Sequence, residues 1–126
     1  MPEAARKPDW HYDDLRQVGL DFEDAGQVAS YDERQAGSLD EDRALLRELG
    51  LGPSDLLADI GCGTGLLAAA AAGICAKVHA IDVSAEMLKA TAARSRALGL
   101  SNVSTQRAGF LSFDLLPRSL DLVTTK

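Results

Sequence analysis

The chain contains only two cysteines and no apolar run long enough to cross a membrane. Two thiols cannot form the disulfide framework that stabilises many small secreted domains. We therefore expect Cys62 and Cys75 to be buried or half-buried free thiols, with no metal site. The longest apolar stretch, residues 66–76, is mostly alanine and contains Gly73, whereas a membrane helix needs about 20 apolar residues. No membrane span is expected.

The amino-acid sequence also shows no pattern typical of a targeting signal or of a repeat. The N-terminus lacks the basic and then apolar order of a secretory signal, and we find no internal repeat or low-complexity tract. These features favour a cytoplasmic protein. With 126 residues, of which 46% are hydrophobic, the chain has the length and composition of one globular domain.

Acidic charge is concentrated in the first half of the chain. Residues 1–58 contain 14 acidic and 6 basic side chains, whereas residues 59–126 contain 5 acidic and 7 basic ones. An acidic surface repels a phosphate backbone, so we expect no nucleic-acid partner. The acidic excess is typical of solvated helical faces.

The most informative stretch is LLADIGCGTGLL, at residues 56–67. An apolar run that ends in an acid, followed by alternating glycines and an alanine-rich segment, predicts a buried strand, a tight turn and the start of a helix. Glycine has no Cβ to keep a ligand away from the main chain. The helix start should add free N–H groups and a positive dipole end. The stretch therefore predicts a site for a small anionic or zwitterionic group.

The rest of the sequence alternates strand and helix patterns. We predict strands at about 55–60, 77–82, 102–108 and 120–124, and helices beginning after Ser38, at 66–72 and at 85–98. Strands that alternate with helices indicate an α/β fold with a doubly wound parallel sheet.

Local signals support the helix ends and faces. Ser38 and Glu41 have capping-box spacing, Gly50 or Gly52 should end that helix, and Ser84 is a plausible N-cap for the last one. The predicted apolar faces consist of Leu45, Leu46 and Leu49 on the first helix, and of Leu88, Ala92, Ser95 and Leu98 on the last.

Two motifs at a characteristic spacing identify a resemblance. Asp59-x-Gly61-x-Gly63-x-Gly65 resembles the first motif of class I S-adenosylmethionine-dependent methyltransferases, and residues 78–88 resemble their second strand, with Asp82 as its ribose-binding acid. The resemblance covers residues 56–126 and a lead-in around Tyr31. It is closest to small-molecule methyltransferases similar to the quinone-biosynthesis enzymes. It implies a Rossmann-like sheet of order 3-2-1-4, S-adenosylmethionine as cofactor and a small-molecule methyl acceptor.

The resemblance also implies a set of cofactor-binding residues. The methionine part would lie against the glycine turn, the ribose on Asp82 and the adenine near the exits of the second and third strands. The full set is Asp59, Gly61, Cys62, Gly63, Thr64, Gly65, Asp82, Val83, Met87, Gly109, Phe110 and Tyr31. No catalytic base is identified, and a sulfonium donor needs little beyond in-line positioning.

Several of these residues have a structural alternative. Asp59 could bond the N–H groups of its own turn, Asp82 could cap the next helix, and Met87 could be a core residue. The family often has an acid after the third strand's glycine. Phe110 stands there instead, so adenine would be recognised by backbone near Gly109 or by packing on Phe110.

Domain organisation and two rival functions complete the expectations. Residues 1–53 would form a helical lid bearing Trp10, Tyr12, Phe22 and Tyr31, and residues 54–126 a partial cofactor-binding domain that stops after the fourth strand. Because complete family members are about twice as long, a non-catalytic, marginally folded and self-associating fragment is one rival. A nicotinamide-dependent dehydrogenase is the other, but its Gly-x-Gly-x-x-Gly/Ala fingerprint would require a small residue where Leu66 stands.

Overall fold

The computed structural model describes Asp13, Leu15 and residues 39–125. Residues 39–125 contain the helices and strands of one parallel α/β structure. The elements are α1 (Leu39–Glu48), β1 (Leu56–Ile60), α2 (Leu66–Ala72), β2 (Lys77–Asp82), α3 (Ala85–Ala97), β3 (Val103–Arg107) and β4 (Leu122–Thr124). The four strands lie in the order β3-β2-β1-β4. The predicted fold class and strand order are confirmed. The predicted lid aromatics and Tyr31 lie outside the described residues.

Parallel pairing in register brings the ends of the strands to one edge of the sheet. β1 pairs with β2 from Leu56 opposite Lys77 to Ile60 opposite Ile81. β4 joins the other side of β1, with Thr124 opposite Asp59, and β3 joins β2. The loops that follow β1 and β2 are therefore neighbours, although 16 residues of helix and loop separate Ile60 from Lys77, the first residue of β2.

The core lies mainly between the sheet and the alanine-rich helix α2. Ala68, Ala70 and Ala71 are fully buried, because small side chains let the helix approach the strands closely. Leu46 of α1 and Leu51 belong to the same buried cluster. A smaller cluster on the other sheet face consists of Ala58, Ile60, Ile81 and Ala108, with Leu115 and Leu120 packed against it.

The predicted apolar face of α1 is partly wrong. Leu46 is buried, but Leu45 and Leu49 are 50% and 59% exposed, and Asp42 is buried in their place. Asp42 and Leu46 are one turn apart, so they lie on one narrow side of the helix. This side, which carries the core residue Leu46, is the one that α1 buries.

The predicted face of α3 is also displaced. Met87, Thr91 and Ser95 are its buried residues, whereas Leu98 is 47% exposed. The prediction was correct for Ser95 and wrong for Leu98. Thr91 takes an inward position because α3 packs against the glycine turn as well as the sheet.

Two of the predicted helix ends are confirmed, and the third, the capping box at Ser38, lies outside the described residues. Ser84 caps α3 by accepting the Met87 N–H at 3.1 Å. Gly50 has φ +93° just after α1, and Leu51 N–H donates to Leu46 O at 3.0 Å, as in a Schellman motif. In the described ranges, no helix is long and apolar enough to span a membrane.

One side-chain amide ties the end of α2 to the start of β3. Asn102 Nδ2 lies 2.9 Å from the carbonyl oxygen of Ala72, 3.1 Å from that of Cys75 and 3.3 Å from that of Ala76. The Ala72 carbonyl belongs to the last residue of α2, where no further intrahelical donor is available, and those of Cys75 and Ala76 lie in the loop before β2. Asn102 therefore bonds an acceptor that helix geometry leaves open and two acceptors of the following loop.

We expect Asn102→Ala to lower the free energy of unfolding by about 1–3 kcal/mol, because it leaves partly buried carbonyl oxygens without their hydrogen-bond donor. Ser101→Ala, at an exposed neighbouring position, is the control and should change little. Denaturant unfolding of both variants measures the difference. Equal midpoints for the two would show that the amide contributes nothing to the fold.

Candidate functional site

The glycine turn at residues 61–65 and the end of β2 form a single hydrogen-bonded unit. The N–H groups of Gly61 and Cys62 both donate to Ile81 O, at 2.7 and 2.9 Å. The Gly63 N–H donates to Asp82 Oδ2 at 2.9 Å. The pairing of β1 with β2 thus continues past the end of β1 and holds the turn beside Asp82.

The N–H groups of the turn itself are bonded within the protein, unlike the free N–H groups that the sequence predicts at the start of the following helix. The donors of Gly61, Cys62 and Gly63 are used by β2, and the Gly65 N–H donates to Cys62 O at 3.1 Å. Three of these four donors are therefore taken by acceptors of β2 and the fourth by an acceptor within the turn. A ligand at this turn would meet main-chain surface rather than these donors.

Glycine is needed at Gly61 and at Gly65 of the turn for two different structural reasons. Gly61 and Gly65 both have positive φ, +77° and +85°. Gly61 is exposed, and a Cβ built on it would meet nothing within 4 Å. A Cβ on Gly65 would lie 2.8 Å from the Thr91 side chain. Gly61 therefore borders open space that a ligand could fill, whereas Gly65 allows α3 to approach the turn.

Asp82 is buried, and both of its oxygens accept hydrogen bonds from main chain. Oδ2 accepts from Gly63 and Oδ1 from the Ser84 N–H, both at 2.9 Å. The capping of α3 is performed by Ser84 instead. A carboxylate offers about four acceptor positions, so two bonds leave capacity for a further donor such as a ribose hydroxyl.

Asp59 lies beneath the same edge, 2% exposed, near the end of β1. Its Oδ1 accepts from Thr124 Oγ1 at 2.9 Å, which joins β1 to β4. Asp59 and Asp82 together place two buried carboxyl groups at the carboxyl ends of adjacent strands.

The charge of these carboxyl groups is felt by Cys62. Burial raises the pKa of the Cys62 thiol to about 12, the Thr91 hydrogen bond lowers it in part, and the carboxylates of Asp82 and Asp59 add smaller increases. Burial disfavours a charge of either sign, but the two carboxylates oppose a negative charge and attract a positive one. The sulfonium and ammonium groups of S-adenosylmethionine are positive, so the donor and acceptor set fits that cofactor.

The remaining predicted cofactor-binding residues differ in their exposure and in their hydrogen bonds. Met87 is 2% exposed, which favours its core role over contact with adenine. Val83 is half-buried, and its carbonyl accepts from Arg107 Nε at 2.9 Å. Gly109 is buried with its N–H donating to Ser112 Oγ at 3.0 Å, and Phe110 is 62% exposed. Backbone recognition at Gly109 would compete with that serine.

Three residues that the sequence analysis missed support the turn. Thr91 Oγ1 donates to Gly63 O at 2.9 Å and Arg94 Nε to Thr64 O at 3.1 Å, while Thr124 bonds Asp59. Thr64 itself is buried, 4% exposed. A threonine within an otherwise alanine-rich stretch of α3 was the one available signal. In the described part of the chain, no group of three His, Cys, Asp or Glu side chains could hold a metal ion.

We expect Gly65→Ala to destabilise the fold more than Gly99→Ala. Both positions have positive φ, which costs about 1–2 kcal/mol for a residue with a Cβ. Only at Gly65 does the added carbon also collide with Thr91, and overpacking costs about 1–3 kcal/mol more. Thermal or denaturant unfolding measures both variants. Equal losses at the two sites would contradict the close approach of α3.

Cys62 should resist alkylation in the native protein. At pH 8 a thiol with the ordinary pKa of 9.0 is about one-tenth thiolate, whereas one near 12 is about 10⁻⁴ thiolate. Iodoacetamide should therefore modify Cys62 about a thousandfold more slowly in the folded chain than in guanidinium, as mapped by peptide mass spectrometry. Equal rates in both states would show that Cys62 is neither buried nor held neutral.

The family model described as "Methyltransferase domain" matches residues 57–126, more than half of the chain. A protein of Methanosarcina acetivorans named "Probable cobalt-precorrin-6B C(15)-methyltransferase (decarboxylating)" is 42% identical over 59 residues, which is 45% of this chain and 32% of that protein. The chain thus spans about a third of that relative's length.

Two solved structures share the fold. An S-adenosylmethionine-dependent methyltransferase from Aquifex aeolicus superposes with a TM-score of 0.70 at 24% identity, covering 81% of this chain and 56% of that one. The precorrin 8w decarboxylase of Methanobacterium thermoautotrophicum gives 0.51 at 28% identity, covering 56% and 39%. With the strand order, the two motifs and the matched family model, the chain belongs to the class I S-adenosylmethionine-dependent methyltransferases.

Proposed function

We propose that the chain forms the cofactor-binding part of a methyltransferase that acts on a small molecule, and that it binds S-adenosylmethionine at the carboxyl ends of β1 and β2. The observation that carries this is the position of Asp82. It ends β2 directly beside the exposed main chain of the glycine turn. The ribose would bond the remaining acceptor positions of Asp82, and the methionine part would lie along Gly61.

Electrostatics support the orientation of the cofactor. Asp59 and Asp82 are buried near one another at this edge, and their charges both oppose ionisation of Cys62. Coulomb attraction at a water-excluded edge is stronger than in bulk solvent. Asp59 would therefore favour the positive amino and sulfonium side of the cofactor, directly or through water, while Thr124 holds its carboxyl group in place.

The chemistry requires positioning more than proton transfer. The bound sulfonium supplies an activated methyl group, so a nucleophilic acceptor needs in-line alignment and exclusion of water. The residues of this chain would bind and orient the donor through Asp82, Asp59 and the turn. We assign no base to the acceptor, in keeping with the absence of a candidate in the sequence.

A small acceptor is favoured over a nucleic acid on two grounds. The chain carries a formal net charge of −6, which repels a polyanion. The relatives from Methanosarcina and Methanobacterium are named for precorrins, which are small molecules rather than polymers. We propose residues 1–53 as the covering segment and residues 54–126 as the cofactor domain. The expected cytoplasmic location and a role for Tyr31 stay predictions.

Asp82 is the residue to test, with S-adenosylhomocysteine and its 2′-deoxy analogue as paired probes. The wild-type chain should bind the ribose compound roughly 10- to 150-fold more tightly, because a hydrogen bond to a charged acceptor contributes about 1.5–3 kcal/mol. Asp82→Asn should remove that preference. Calorimetric titration measures all four affinities.

The ratio of the two affinities separates ribose recognition from damage to the fold. Asp82 also holds Gly63 and Ser84, so its loss could weaken both probes equally, and only a change in the ratio reports the hydroxyl. Asp114→Asn, at an exposed carboxylate, is the matched control and should keep the wild-type ratio. An unchanged ratio in Asp82→Asn would remove Asp82 from the ribose site, and no binding by the wild type would refute the proposed cofactor.

A further inference from the structure

Thr91 is the residue of α3 that touches the glycine turn most extensively. It is 1% exposed, and its Oγ1 donates to Gly63 O at 2.9 Å. The same hydroxyl lies 3.7 Å from Cys62 Sγ, and its side chain fills the place of a Cβ on Gly65. One buried side chain thus contacts three residues of the turn.

The hydroxyl has a specific use at this position. Ala90, Ala92 and Ala93 surround Thr91 in the sequence, and alanine is the better helix former. A threonine hydroxyl in a helix often bonds the carbonyl one turn earlier. Here it reaches out of the helix to the turn, 28 residues away. Filling space on α3 therefore does not account for the hydroxyl.

Gly63 links Thr91 to Asp82. Its carbonyl accepts from Thr91, and its N–H donates to Asp82 Oδ2 at 2.9 Å. The N–H and the carbonyl of Gly63 lie in adjoining peptide planes, so fixing the carbonyl restricts rotation of the flexible glycine and narrows the directions that its N–H can take. The second oxygen, Oδ1, is held by the Ser84 N–H. The orientation of the carboxylate consequently depends on a chain of bonds that begins at Thr91.

We propose that Thr91 is a positioning residue for cofactor binding: through Gly63 it holds Asp82 in the orientation that accepts the ribose hydroxyls. This inference rests on the proposed function, because it assigns Asp82 to the ribose. It adds that affinity for the cofactor is set partly from α3, by a residue that does not touch the ligand. Arg94 bonds the next carbonyl, Thr64 O, and supports the same turn.

The first measurement needs no ligand. Amide hydrogen exchange by NMR should show the Gly63 N–H exchanging at least about fivefold faster in Thr91→Val than in wild type. Thr91→Ser, which keeps the hydroxyl, should restore slow exchange. Thr105→Val, the same substitution at an exposed position of β3, is the control and should leave Gly63 unchanged. Wild-type exchange at Gly63 in Thr91→Val would overturn the link.

The second measurement is the affinity for S-adenosylhomocysteine in a double-mutant cycle. Thr91→Val should weaken binding about 5- to 20-fold in the wild-type background, and less than about twofold when Asp82→Asn is also present. Coupled residues give such non-additive losses. Thr91→Ser should stay within about threefold of wild type. The same loss in both backgrounds would show that Thr91 acts independently of Asp82 and would overturn the proposal.

Two controls keep the outcomes distinct. If Thr91→Val does not fold, Thr91→Ala and Thr91→Ser replace it, since these two differ only in the hydroxyl at matched volume. Equal exchange and affinity for that pair would refute a role for the hydroxyl. If the wild-type chain does not bind S-adenosylhomocysteine, the proposed function and the ribose part of this inference both fail, while exchange at Gly63 still decides whether Thr91 holds the turn.

Discussion

The Asp82 carboxylate is the interaction on which the rest of the candidate site depends. It accepts from the Gly63 N–H of one loop and the Ser84 N–H of the next, so it fastens together the two segments that leave β1 and β2. Those loops are neighbours only because the two strands pair in parallel and in register. Without this acceptor, three positive-φ glycines would leave the turn with many conformations to choose from.

Reinforcement of the turn comes from a separate element. α3 begins directly after Asp82, at the Ser84 cap, and returns along the turn so that Thr91 meets Gly63. The missing Cβ of Gly65 makes this approach possible. One short stretch of sequence thus contains both Asp82, the candidate ribose-binding residue, and Thr91 of α3, which supports the turn beside it. This coupling explains why a ligand contact and a packing contact lie within one hydrogen-bonded chain.

Much of the fold could be predicted because its signals are local. The apolar strands, the glycine turn and the Ser84 cap are each encoded within a few consecutive residues, and their predicted bounds agree with the structure within about two residues. The helix faces were harder. Leu45 and Leu49 have a buried pattern, yet both are exposed, because α1 buries only the side that carries Asp42 and Leu46.

The site could be predicted in its residues more than in its bonds. Asp82 and Gly61 were identified from motif spacing, and both lie at the expected edge. The acceptors of the turn's N–H groups were not identified from the sequence, because only the strand register brings Ile81 O and Asp82 close to the turn. The bonds from Thr91 to Gly63 and from Thr124 to Asp59 join residues 28 and 65 positions apart, and no local pattern indicates such partners.

The central claim is that the edge formed by the glycine turn and Asp82 binds S-adenosylmethionine. The most direct test is to titrate the ¹⁵N-labelled chain with S-adenosylhomocysteine and follow its backbone amides by NMR. We predict saturable shifts centred on Gly61, Asp82 and Val83, with His79 and Ser104, farther back along β2 and β3, little changed. No saturable shift, or shifts centred away from Gly61 and Asp82, would contradict the account.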